Sequence, residues 1–75
     1  MVQYIKLNNA EEWKDFVKLA WQFDSDISVH TDDQMIDAKS LLNILALDRS
    51  KPIRVVTEDA RFMRTISGWA IKQPA

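Results

Sequence analysis

Asp37-Ala38-Lys39-Ser40-Leu41-Leu42-Asn43-Ile44-Leu45-Ala46-Leu47 is the stretch on which the fold turns. Ser40 stands before a run of helix-forming residues, where a hydroxyl can accept from the free N–H groups of a first turn. The spacing predicts a helix over 41–47 with Ser40 as its cap. Leu41, Ile44 and Leu45 fall on one face of that helix. Leu42 lies about 100° round from Leu41, so not every leucine can be buried. At least one apolar side chain beside Ser40 is expected to face solvent. That makes a candidate contact patch, although scattered surface leucines are ordinary in soluble proteins.

Working outward, the flanks alternate. Ile27-Ser28-Val29-His30 reads as a strand, Thr31-Asp32-Asp33 as a turn, and Gln34-Met35-Ile36-Asp37 as a short returning strand. Upstream, Val2 to Leu7 reads as a first strand. Asn8-Asn9 can cap a helix, with Glu12 three residues on from Asn9 in a variant capping box and both Glu11 and Glu12 at the positive end of the helix dipole. Trp13, Phe16, Val17, Ala20 and Trp21 recur at helical spacing as one wide apolar face. Asp24-Ser25-Asp26 closes that helix. Downstream, Asp48 to Pro52 forms a loop and Ile53 to Thr57 a fourth strand. Glu58-Asp59 suit a helix start, Phe62, Ile66, Trp69 and Ala70 make its inner face, and Pro74 marks its stop. The order β-α-β-β-α-β-α predicts an α+β domain, a four-stranded antiparallel sheet with three helices on one face. The aromatic set Trp13, Phe16, Trp21, Phe62 and Trp69 is expected in its core.

The bulk properties allow one small domain over residues 1–75. A hydrophobic fraction of 47% with 28% charged residues fits a folded chain, and the lack of cysteine removes disulfides and thiolate zinc sites. No apolar run nears the roughly 20 residues of a membrane span, and no signal segment is apparent, so a cytoplasmic protein with no membrane partner is expected. The net charge of −1 argues against nucleic acid. Charge is nonetheless uneven. Residues 1–37 hold eight carboxylates against three lysines, whereas residues 38–75 hold seven basic residues against three acidic ones.

Enzyme signatures are missing. The single glycine, Gly68, excludes a glycine-rich phosphate loop, and the single histidine, His30, lacks a second ligand at recognisable spacing, so no metal or cofactor is expected. His30 reads as an exposed strand-end residue. Glu11 and Asp15 read as a solvated helix face in preference to an acid/base pair.

The Ser40 helix resembles the second helix of HPr, the small phosphocarrier of the bacterial sugar phosphotransferase system. The resemblance covers nearly the whole chain. It is most specific from Phe16-Val17 through Phe23-Asp24-Ser25-Asp26-Ile27 to Asp37-Ala38-Lys39-Ser40. After Leu47 the chain is about two residues shorter than members of that family, and its last helix is unrelated in detail. The resemblance implies an open-faced sandwich with strand order 1-4-2-3. The family's active-site run is Gly-Leu-His-Ala-Arg-Pro-Ala, against which stands Leu7-Asn8-Asn9-Ala10-Glu11-Glu12-Trp13. By that alignment Asn9 takes the place of the phosphorylated histidine, Glu11 that of the phosphate-binding arginine and Glu12 that of the proline. An amide nitrogen delocalised into its carbonyl is no nucleophile. Two carboxylates at that turn repel phosphate and reverse the charge that the family presents to the first enzyme of its relay.

The resemblance also aligns Ser40 with a serine that a dedicated kinase phosphorylates in some members, and Leu41, Leu42 and Leu45, beside Lys39, with an apolar partner-binding patch. It therefore implies a non-enzymatic, regulatory or protein-binding role, as in a paralogue that lacks the histidine and works through its serine. Two alternatives stand beside it. One is a phosphorelay component with an unusual acceptor. The other is a structural protein, monomeric or weakly dimeric, that pairs through the edge of its third strand.

Overall fold

The computed structural model describes residues 1–48 and 50–72. Alternating side chains produce four strands, β1 (Val2–Ile5), β2 (Ile27–His30), β3 (Met35–Asp37) and β4 (Ile53–Thr57), with helices α1 (Ala10–Trp21), α2 (Leu41–Leu45) and α3 (Ala60–Thr65) between and after them. The sheet runs β1-β4-β2-β3, antiparallel throughout. One face of it carries Ile5, Ile53, Val55, Ile27, Val29 and Ile36, all buried against Trp13, Phe16, Val17 and Ala20 of α1, Ile44 of α2, and Phe62 and Met63 of α3. Edge-on aromatic contacts tie the helices together, with Phe16 and Phe62 ring centres 6.0 Å apart and Phe23 and Phe62 5.3 Å apart.

The other face is uncovered, and register sorts it into two rows. Val2, Val56, Ser28 and Asp37 pair across the four strands in one row, and Tyr4, Arg54, His30 and Met35 in the next. This is the sheet with helices on one face that the strand pattern predicts, and the open-faced sandwich of order 1-4-2-3 that the resemblance implies.

The predicted elements differ from the observed ones at their ends. β1 stops at Ile5, β3 starts at Met35, and α2 stops at Leu45. The larger correction concerns the last helix, predicted to run to Ala70. α3 ends at Thr65, followed by a 3-10 turn over Ser67–Trp69. Thr65 and Ser67 hydroxyls donate back to the Arg61 and Arg64 carbonyls at 2.9 and 2.8 Å, and Gly68 is a poor helix former. The chain then turns onto β1. Lys6 N–H donates to the Trp69 carbonyl at 3.1 Å, and Ile71 N–H to that of Tyr4 at 2.9 Å, while Ile5 and Ala70 form a bridge. Residues 69–71 thus cover the outer edge of β1 and leave β3 as the uncovered edge. Pro74, expected to stop the helix, lies outside the described residues.

Trp21 is the second correction. Placed at the margin of the apolar stripe and in the last position of α1, it is 67% exposed and meets Lys39 at the surface in place of the core. Trp69 is half-buried at the rim of the core.

Candidate functional site

Two turns carry the candidate residues: the start of α1 and the start of α2. The first is closed by internal hydrogen bonds. Asn9 is extended at the cap position, and its Oδ1 accepts from Glu12 N–H at 2.9 Å. Glu12 answers with Oε1, which accepts from Asn8 N–H at 2.8 Å, so the reciprocal box predicted from sequence forms with its return bond one residue earlier. Glu12 Oε2 accepts the indole N–H of Trp69 at 3.1 Å. The Asn8 N–H, and then the Trp69 N–H, hold the Glu12 carboxyl below its ordinary value. The Glu12 N–H of the first turn is thus taken by Asn9, and the Glu12 carboxylate stands at the mouth of the turn, where an anion would approach a helix start. Glu11 and Asp15 are exposed on α1.

The second turn is built differently from the expectation. Ser40 occupies the cap position of α2, but its side chain makes no capping hydrogen bond. Asp37 organises the turn instead, with Oδ1 accepting from Lys39 N–H at 2.9 Å and its carbonyl from Ser40 N–H at 3.0 Å. The Ser40 hydroxyl is half-buried and uncommitted to the helix. Around it, Leu42 is 83% exposed and Leu41 39%. Leu45 is half-buried and leans on the core, so it contributes less to the surface than its sequence position implied. Lys39 connects this turn to α1. Its carbonyl accepts the Trp21 indole N–H at 2.9 Å, and its ammonium lies 5.9 Å from the centre of the Trp21 ring. Trp21 and Lys39 thus form a paired aromatic and basic surface next to Ser40 in the chain, with the exposed Leu42 two residues beyond it.

His30 lies on the open face of the sheet, on the side away from both turns. Among the described residues no group of three or more His, Asp or Glu could hold a metal, and no helix is long and apolar enough to cross a membrane. The Glu12–Trp69 bond and the Trp21–Lys39 pair were not foreseen. The first joins residues 57 apart and the second residues 18 apart, and neither leaves a local signal.

The family described as PTS HPr component phosphorylation site matches residues 10–61. That match opens one residue after Asn9. Curated proteins give no match. Among solved structures, the phosphocarrier protein HPr from Bacillus anthracis str. Ames is similar at 22% identity and a TM-score of 0.74, covering 95% of this chain and 96% of that one. HPr-C-His from Thermoanaerobacter tengcongensis is similar at 21% identity and a TM-score of 0.71, covering 91% and 85%. The Bacillus subtilis catabolite repression protein Crh, described as a domain-swapped dimer, is similar at 20% identity and a TM-score of 0.59, covering 85% and 75%. These likenesses establish the fold and agree with its strand order. A family match across more than half of the sequence, on this sheet and these helices, makes the chain a member of the PTS HPr family.

Proposed function

We propose that this HPr-family protein has left histidine phosphotransfer and acts by binding a protein partner through the surface of Ser40, Leu41, Leu42 and Lys39. The observation that carries the reading is the closed turn at the start of α1. There Asn9 offers no imidazole, and the Glu12 carboxylate takes the Asn8 and Trp69 donors. A phosphoryl group arriving there would meet the negative charge of Glu12, and the Glu12 N–H already committed to Asn9. The Ser40 turn has the complementary properties, with a hydroxyl free of capping duty beside an exposed leucine. Phosphorylation by a serine kinase would transfer the terminal phosphoryl of ATP to Ser40 Oγ, release the hydroxyl proton and ADP, and place a dianion beside the Lys39 ammonium. No enzymatic activity, cofactor or metal belongs to this reading.

The test is intact-mass analysis after incubation with phosphoenolpyruvate and the first enzyme of the relay, and separately with ATP and the family's serine kinase. The expected result is no phosphoenolpyruvate-dependent label and a single phosphoryl group on Ser40. Label from phosphoenolpyruvate on any residue would overturn the reading in favour of an unusual acceptor. The uncovered edge of β3, with Met35 72% exposed, favours a second reading in which the chain also pairs with a copy of itself. A concentration-independent monomer mass would remove it.

A further inference from the structure

The open face of the sheet, opposite the helices, holds a groove of about 570 Å³, within the usual range of small-molecule sites. Register builds its floor. Tyr4, Arg54 and His30 are cross-strand neighbours in one row of β1, β4 and β2, and Lys51 and Asp32 close the groove from the adjoining loops. A chain of long hydrogen bonds orients the central cation, the exposed Arg54. Arg54 Nη2 donates to His30 Nδ1 at 3.4 Å. With Nδ1 accepting, the imidazole proton sits on Nε2, which donates to Ser28 Oγ at 3.0 Å, and the Ser28 hydroxyl donates to the Val56 carbonyl at 3.4 Å. This commits one of the five N–H donors of the guanidinium.

Charge gives the groove its sign. Among the described residues, neither Arg54 nor Lys51 has a carboxylate within ion-pair distance. The Ser50 hydroxyl and N–H hold the Asp48 carboxyl below its ordinary value, and Lys51 and Lys6 add to this only at longer range. A guanidinium fork and an ammonium therefore line one concavity in a chain whose net charge is −1. That pair suits a phosphate, which arginine binds in a bidentate manner and lysine as a point charge. The Tyr4 ring supplies a flat apolar wall. The Asp32 carboxylate accepts hydroxyl protons and repels a second anionic group.

We propose that this groove binds a small phosphomonoester with a hydroxylated ring, its phosphate on Arg54 and Lys51, its hydroxyls toward Asp32 and its ring against Tyr4. The site lies on the face away from Ser40 and is independent of the function proposed above.

The test is a two-dimensional amide NMR titration of the full chain with ribose phosphate, ribose and inorganic phosphate. Saturable shifts confined to the region of Tyr4, His30, Lys51 and Arg54 are expected with ribose phosphate. Inorganic phosphate should bind more weakly and ribose should give none. Arg54→Ala and Lys51→Ala should each weaken binding on the order of tenfold, the loss of one charge-assisted contact. Lys51 is an exposed loop residue, so its variant keeps the test independent of sheet stability. Absence of saturable shifts, shifts centred on Ala10 to Glu12, equal binding of inorganic phosphate (an adventitious ion only), or full affinity in both variants would each overturn the proposal.

Discussion

At the scale of single residues, Asn9 has two separable roles. As a cap it satisfies the Glu12 N–H, and Asn9→Ala should cost about 1 kcal/mol, read as a lower midpoint in urea unfolding. As the residue aligned with the family's histidine it is only part of a changed turn. Asn9→His should therefore remain unlabelled by phosphoenolpyruvate and the first relay enzyme, because Glu11 and Glu12 still surround the imidazole with negative charge. Efficient labelling of that single variant would show that the carboxylates matter little. Leu42 separates binding from folding. Since it is 83% exposed, Leu42→Asp should change stability by less than about 0.5 kcal/mol while abolishing partner binding measured by calorimetry. Trp13 poses a different problem: it is wholly buried, yet its indole N–H has no acceptor among the described residues. An orphaned buried donor is costly, and the burial of the ring's apolar surface offsets that cost.

At the scale of elements, legibility followed the range of the cause. The inner face of α1 was readable at Trp13, Phe16, Val17 and Ala20, because a helical stripe is a local pattern. Trp21 satisfied the same pattern and is still 67% exposed, because its neighbour across the turn is the surface residue Lys39 and not the core. The cap at Asn9 was readable, since its partner is three residues away. Ser40 does occupy the cap position of α2, but its side chain makes no capping hydrogen bond, and the Asp37 carboxylate and carbonyl order the turn from upstream through the Lys39 and Ser40 N–H groups. The end of α3 was not readable. Its course is set by Trp69 reaching Glu12 and by residues 69–71 bonding along β1, contacts that bring together opposite ends of the chain. The phosphate groove was equally hidden, since Tyr4, His30 and Arg54 meet only once strand order is fixed. The C-terminal turn can be tested as a unit. Trp69→Phe keeps the ring and removes the donor to Glu12. Amide exchange should then quicken at Lys6 and Ile71, whose N–H groups hold the strap to β1, with little change in the β2 and β4 amides.

At the scale of the molecule, one small core supports everything described. Phe62 touches both Phe16 and Phe23 and is wholly buried. Phe62→Ala should cost about 3–5 kcal/mol, much of the margin of a small domain, and is expected to lose cooperative thermal unfolding at ordinary temperatures. The chain's acid sensitivity is distributed across the molecule. The Glu12 carboxyl is lowered from 4.5 by Asn8 and Trp69, and Asp59 is lowered from 3.8 by the Ser25 hydroxyl and the first N–H groups of α3. For a depressed carboxyl the unfolded chain binds the proton more readily than the folded one. Each contribution is thus complete above the ordinary value and is lost as pH falls through the lower folded value. Stability should be flat near neutrality and decline progressively below about pH 5. Glu12→Gln and Asp59→Asn leave amide oxygens that can still accept, but they remove the charge. Each should lower stability at neutral pH and make the acid decline shallower in urea unfolding at a series of pH values. If both variants keep the wild-type slope, the two helix starts are held by geometry alone, and the case that the Glu12 carboxylate bars phosphate from α1 loses its electrostatic support.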